Sequence, residues 1–372
     1  MVLTAKWAEY SEPTIFTLSI SEPNTVVTLN LYQSKANGVK ITWGLSDGGQ
    51  LEETNNVAGQ VSFTHTYAEP GPYTVKILRQ NGTYLLGKNN DESAVMPAAV
   101  LTDVQFAFDV ATTNPGAFRF AVNLVNANLT KFMTSIASNM FDGCSRLTTL
   151  SNYTLELPDA IATIGSAAFR DCVSLSKVTL PAKLRTLGDN AFRNCSNITA
   201  AVFKQNCPLT VIQDYTFFAC EHLEQITLPK GLTTIKSNAF NHCTAIEEIQ
   251  LPATVVNIGD TAFSYCENLS HIVIPAANMM SFGTCNFEGC SQLQTAGPVG
   301  GDYNIEFGWD NKIPAGTFST SAYNAPIALK NIVSPNTITE IGDKAFFNCG
   351  SLLEINLPTN LTVIGESCFT YC

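Results

Sequence analysis

Two textures of hydrophobic and polar positions divide the chain. From residue 10 to about 95, apolar and polar residues alternate in short runs: FTLSISEPNTVVTLNLYQ, then VKITW after a Lys-Ala-Asn-Gly turn, then VSFTHTY and YTVKIL on either side of Glu-Pro-Gly-Pro. A period of two puts one face of a strand inside and the other in water, and closely spaced turns fold such strands back on one another. This predicts an antiparallel β-sandwich over 1–90. The polar, Asn-rich stretch NGTYLLGKNNDESAVMP closes on a segment that reads as a linker, 91–97. Beyond it VQFAFDV and FRFAVNL, joined by ATTNPGA, alternate again. They predict a β-hairpin over 98–128 that caps the open first coil of the next region.

From 129 to 372 the pattern changes to a repeat. The pair F-x-x-C recurs as Phe141/Cys144, Phe169/Cys172, Phe192/Cys195, Phe217/Cys220, Phe240/Cys243, Phe263/Cys266, Phe287/Cys290, Phe346/Cys349 and Phe369/Cys372. Successive cysteines stand 28, 23, 25, 23, 23, 24, 59 and 23 residues apart. The long gap holds a degenerate unit in which Phe318 pairs with Ser321, which makes ten units. Within a unit, L-x-x-I-x-L-P (Leu223, Ile226, Leu228, Pro229) alternates as a strand with one buried face, and Pro ends it because it has no amide hydrogen for a ladder. Gly165, Gly188, Gly259, Gly342 and Gly365 fall at a turn where a positive φ is expected. Phe and Cys, three apart, are expected on the inner side of a helical turn. One unit of about 23 residues cannot bury its own apolar face, whereas stacked units can, each adding about 4.8 Å. The expected architecture is a right-handed leucine-rich solenoid of about ten coils.

Joined together, L-x-x-I-x-L-P and I-G-x-x-A-F-x-x-C resemble the BspA-like leucine-rich repeat. The resemblance implies a bacterial or protist surface protein that binds host proteins, other cells or glycans without catalysis. Departures from the pattern are the insertion between Cys144 and Pro158, the shift around Cys207, and the Gly-rich stretch 297–316. In the first region, ITWGLSDGG followed by FTHTYAEPGPYTVKI resembles a polycystic-kidney-disease (PKD) type domain. Trp43, Asp47, Gly48, His65, Tyr67, Gly71, Tyr73 and Val75 carry that match, which implies adjacent core strands and a spacer or carbohydrate-associated module. Leu45 and Ser46 depart from its pattern.

Composition narrows the partners. A net charge of −11 with no basic run argues against nucleic acid, because phosphates need clustered Lys and Arg. No apolar run approaches a span of about 18–20 residues, so membrane insertion is not expected. The start, MVLTAKWAEY, lacks a charged segment followed by an apolar one, and the chain reads as leaderless. The last unit stops halfway at Cys372, as expected of an array cut from a longer one.

Candidate chemistry is sparse. The chain has no C-x-x-C, and its repeat cysteines recur once per coil, which suits a buried file of thiols and not a metal site. Cys207, Cys285 and Cys368 lie outside that file, and Cys285 is singled out as the most reactive. His65 is expected to make a structural hydrogen bond, while His222, His242 and His271 occupy different phases and do not converge. Asp47 beside Gly48 and Gly49 suits a turn better than a calcium site. No nucleophile elbow, zinc, phosphate-loop or dinucleotide motif is present, so neither catalysis nor a cofactor is expected.

Two surfaces remain as binding candidates. Positions five and seven residues past the repeat Cys give Lys177, Thr179, Gln225, Thr227, Glu248, Gln250, His271, Val273, Glu354 and Asn356, which should form columns on an exposed strand face. The stretch 297–316 offers Tyr303, Phe307 and Trp309 as aromatics on a loop. The reading is a non-enzymatic, extracellular or cell-surface binding protein with a protein or glycan partner. The second choice is a structural or receptor-binding part of a phage virion.

Overall fold

The computed structural model describes residues 12–81, 83–87, 100–107, 110, 113–150, 156–274, 281–308, 311–320 and 328–372. The expected linker at 91–97 lies outside them, as does Trp309. The chain forms two compact units, Met1–Thr154 and Leu155–Cys372.

The first unit opens with the sandwich that the alternating runs predict. Strands β1 (Thr14–Ile20), β2 (Thr25–Gln33), β3 (Val39–Gly44), β4 (Gln50–Thr54), β5 (Gly59–Tyr67), β6 (Gly71–Arg79) and β7 (Tyr84–Leu86) divide into one sheet containing β4-β3-β6-β1 and another of order β5-β2-β7. Trp43 on β3 faces Val75 on β6 in register. The strand carrying His65 and Tyr67 belongs to the opposite sheet, so the two resemblance segments meet face to face across the core as well as edge to edge. His65 stacks on the buried Trp43 ring at 5.5 Å, and Tyr67 sits 4.1 Å from Tyr73. Ring packing, and not the expected hydrogen bond, places His65. Asp47 accepts the Gly49 amide at 2.8 Å while Gly48 takes φ 80°, a turn as the sequence suggested.

Residues 98–128 do not make a hairpin. Strand β8 (Leu101–Gln105) joins the first sheet antiparallel to β1, and β9 (Asn126–Asn128) pairs with it in parallel. Between them FRFAVNL is a run of turns in which the Phe118 amide donates to the Met140 carbonyl at 2.9 Å. Phe118 thus occupies the repeat-Phe position with Ala121 in place of Cys, and Cys144 donates its thiol to the Phe118 carbonyl at 3.1 Å. Alternation of apolar residues predicted strands here, but a repeat that is complete except for its Cys prevailed.

In the second unit each repeat supplies two strands. A short one, such as Val211–Ile212, Thr234–Ile235 or Asn257–Ile258, pairs in parallel with its counterparts in a four-stranded sheet that ends at Ser281–Phe282. A longer one, such as Ala200–Phe203, joins a separate ladder. The F-x-x-C segment between them is a series of turns and not a helical turn. Residues five and one before each Cys take left-handed φ, as at Asn190 and Asn194 (58° each) or Asn238 and His242 (58° and 61°). Both Phe and Cys still point inward: Phe169, Phe192, Phe217, Phe240 and Phe263 are buried, with neighbouring rings stacked at 5.2–5.7 Å.

The repeat glycines serve a different purpose from the one expected. Gly188, Gly259, Gly342 and Gly365 do not have positive φ; a Cβ on any of them would run into the backbone of the preceding coil. They allow close approach, and the left-handed step is taken two residues later by Asn190, Thr261, Lys344 and Ser367.

Candidate binding face of the strand ladder

The long strands place every residue chosen for the face on the outer side. Lys177, Gln225, Thr227, Glu248, Gln250, Glu354 and Asn356 are exposed, and Thr179, His271 and Val273 are half-exposed, while Val178, Ile249 and Ile272 between them are buried. Registers align them as columns: Lys177 with Ala200 and Gln225, Glu248 with His271, Gln250 with Val273, and Asn331 with Glu354.

The stretch 297–316 is part of this ladder and not a loop beside it. Ile305–Phe307 pairs in parallel with His271–Ile274 on one side and with Thr295–Pro298 on the other, so a strand later in the chain sits between two earlier ones. Ile305-Glu306-Phe307 repeats the apolar-polar-apolar pattern of a ladder strand, and Phe307 is therefore core, not an exposed aromatic. That alternation was the signal available in the sequence. Asn304 fixes the insertion, its Oδ1 accepting from the Gln294 and Thr295 amides at 3.1 Å each and its Nδ2 donating to the Ser270 carbonyl at 2.8 Å. The Gly300 amide donates to Glu306 at 2.5 Å and, with His271 Nε2 at 3.3 Å, holds that carboxyl below its ordinary range.

Tyr303, half-buried, lies flat over Gly297 and Gly301, where any Cβ would collide with its ring. It forms one wall of a hollow of about 570 Å³ whose floor is Thr295, Asn331, Ile332, Val333, Glu354, Ile355 and Asn356. The strand face and the insertion, separate candidates in the sequence, meet here. Asn331 and Val333 were missed because the residues before Asn331 carry no F-x-x-C from which to count, whereas Thr295, five residues past Cys290, obeys the same count as the residues chosen. A second hollow, of about 440 Å³, is lined by Glu224, Gln225, Ile226, Thr227, Leu228, Glu248 and Gln250.

Sequence models of known families match nearly all of this architecture. The BspA type leucine rich repeat region matches in six copies, over residues 111–210, 149–268, 210–297 and 313–372, together more than half of the chain. The chain belongs to the BspA type leucine-rich repeat family. A PKD domain model matches residues 15–85 of this BspA-type protein. Among solved structures, a leucine-rich repeat protein from Bacteroides ovatus is 23% identical, with 72% of this chain and 76% of that one covered and a TM-score of 0.50. A leucine rich cell surface protein from Faecalibacterium prausnitzii is 23% identical over 70% of this chain and 62% of its own, with a TM-score of 0.39. No curated protein matches the chain.

The cysteines of this BspA-type repeat are all free thiols. In the file they donate to the Phe carbonyl of the preceding coil, as Cys195 to Phe169 at 3.0 Å, Cys220 to Phe192 at 3.2 Å and Cys243 to Phe217 at 3.1 Å. Burial pushes the Cys266 thiol up to about 12 and the Cys220 thiol higher still. Cys285, the sequence's choice for reactivity, is half-buried and also pushed up, first by burial, which keeps it a thiol and not a thiolate.

Proposed function

We propose that the protein is a non-enzymatic binding protein of the cell surface that holds a protein partner against its strand ladder. The observation that carries this reading is the hollow walled by Tyr303, where an aromatic ring, the amides Asn331 and Asn356, and the carboxylate Glu354 surround apolar Ile332, Ile355 and Val333. Rigid aromatics beside adaptable hydrogen-bonding groups are the usual anchors of a protein interface. The family supports the same reading, since leucine-rich repeats serve mainly as protein-binding surfaces, and one similar structure is described as a cell surface protein. Among the described residues, the hollows gather carboxylates, amides and hydroxyls from repeated strands, a set that offers contact and not a nucleophile with its base. The right-handed course of the coils and the spacer role of the PKD domain belong to the same proposal.

Deleting 297–316 would remove a core strand, so the test uses point replacements. Arrays of cell-surface and matrix proteins and of glycans are probed with the intact chain and with Tyr303→Ala/Asn331→Ala. The expected result is capture by protein spots that falls at least tenfold in the double variant while the melting temperature holds. Capture by glycans alone, or capture untouched by the variant, overturns the reading.

A further inference from the structure

The second hollow marks a place where the ladder stands open. Lys177–Leu180, Ala200–Phe203 and Gln225–Thr227 form one paired sheet, and Glu248–Gln250 begins another, with no strand pairing between Gln225–Thr227 and Glu248–Gln250. Most Cα–Cα distances between these two strands exceed 8 Å, against about 4.8 Å for directly paired neighbours. The separation is local, because the same two coils are joined everywhere else. Val211–Ile212 pairs with Thr234–Ile235, the Phe217 amide donates to Ala239 at 2.9 Å, the Phe217 and Phe240 rings stack at 5.6 Å, and the Ala245 amide reaches the Glu221 carbonyl at 3.1 Å.

At other junctions the amides four and five residues past the Cys donate to the carbonyl at the equivalent place one coil earlier. Glu224 and Gln225 do so to Thr199, and Ser270 and His271 to Glu247. At the opening the corresponding bonds from Glu247 and Glu248 to Glu224 are absent. The repeat puts Glu224 and Glu247 at the same phase of successive coils, with Glu248 beside them, all exposed. Like charges facing across neighbouring strands are destabilising. Among the described residues no Lys or Arg pairs with these three; Glu248 has His271 Nδ1 at 3.7 Å. Below the carboxylates, Ile226 and Leu228 are only half-buried, although Val178, Leu180, Ala201 and Phe203 at the same phases are buried.

We propose that this opening is a docking site for an extended, basic segment of a protein partner, which enters as an added strand between Gln225–Thr227 and Glu248–Gln250. The inference rests on the protein-binding reading above and names the chemistry of one partner segment. Two unpaired strand edges supply the backbone partners. Carboxylates at the rim select Lys or Arg, and the half-buried Ile226 and Leu228 select an apolar residue between them. The chain itself shows the operation, since Ile305–Phe307 enters the same ladder between strands that precede it and pairs on both sides. The guest has the same alternation, with cations at the outward positions where Ile305-Glu306-Phe307 has a carboxylate.

The probe is a labelled eight-residue peptide alternating Lys or Arg with Ile or Val, tested against the full chain by fluorescence anisotropy and by amide hydrogen exchange. Controls are an acidic twin and a version N-methylated at alternate amides. The expected result is binding by the basic peptide only, slowed exchange confined to residues 225–228 and 248–250, and at least tenfold weaker binding to Glu224→Gln/Glu247→Gln/Glu248→Gln, whose surface substitutions leave the melting temperature in place. Failure of the basic peptide to bind overturns the inference, as does equal binding by the N-methylated peptide or by the triple variant. Tyr303→Ala/Asn331→Ala leaves this peptide's binding unchanged, so the two proposals fail separately.

Discussion

A cysteine of the buried file does two things at one atom. Its sulfur fills a core position, and its S–H gives a buried Phe carbonyl a second donor beside the backbone amide three residues on, as Phe192 O accepts from the Cys195 amide and from the Cys220 thiol at 3.2 Å each. Cys220→Ala keeps the site apolar and leaves the carbonyl its amide donor, so loss of the second bond costs about 0.5–1.5 kcal/mol of unfolding free energy in a urea titration. A loss under 0.5 kcal/mol would show that the thiol is only filler. The same burial gives the protein an alkaline limit. Folded Cys266 titrates near 12 against an ordinary 9.0, so below pH 9 the thiol is neutral in both states and its stability contribution is complete. Above pH 9 the unfolded chain loses that proton and the folded chain does not, and stability falls by up to about 1.4 kcal/mol per pH unit for each such thiol. Melting temperature against pH should bend down above 9, and less so in Cys266→Ala. Thr261 illustrates the other residue-scale lesson. It holds φ 52° where Asn190 and Asn238 stand in sister coils, so Thr261→Asn should raise stability by about 0.5–1 kcal/mol, read as a higher urea midpoint. The F-x-x-C spacing made the buried column legible from the sequence. It could not show the left-handed steps, because Ala167, Thr261, Lys344 and Ser367 share no residue type that would announce them.

Strands in this protein are identified by phase and not by chain order. The alternation of Ile305-Glu306-Phe307 qualifies it as a ladder strand, and it is built into the ladder out of turn. Phe307→Ala should therefore cost about 3–5 kcal/mol, as a core truncation does, with the effect measured on the second transition of a chemical melt. A cost below 1 kcal/mol would return the stretch to loop status. Sequence reading recognised the ten outward residues of the face, since counting from each Cys is reliable while the period lasts. It failed where counting had no anchor: around the insertion, and at residues 104–124, where alternation suggested a hairpin and the Phe118 coil formed instead. The opening beside Glu248 was hidden for a different reason. Every local pattern there is regular, and the carboxylates of Glu224, Glu247 and Glu248 come together only once the coils are stacked.

At the scale of the whole molecule, a stack of like coils makes stability a sum of neighbour terms. Phe240 touches Phe217 on one side and Phe263 on the other, at 5.6 and 5.7 Å. Phe240→Ala removes both contacts and should divide unfolding of the second unit into two steps, visible as separate exchange rates for coils on either side. A single, merely earlier transition would mean that coupling runs through more than the ring column. The net charge of −11 acts at the same scale, slowing encounter with acidic partners and hastening it with basic ones, more so at low salt.

The thiol file also bears on where such a chain can live. Apart from the exposed Cys372, its sulfurs are shut away from solvent, and those of Cys144, Cys195, Cys220, Cys243, Cys266, Cys290 and Cys349 point at a carbonyl and are held protonated by burial, so neither a peroxide nor another thiol's disulfide has a nucleophile there to meet. Passage from a reducing cytosol to an oxidising exterior, which forces new cross-links on most cysteine-rich chains, would leave those seven buried thiols as they were.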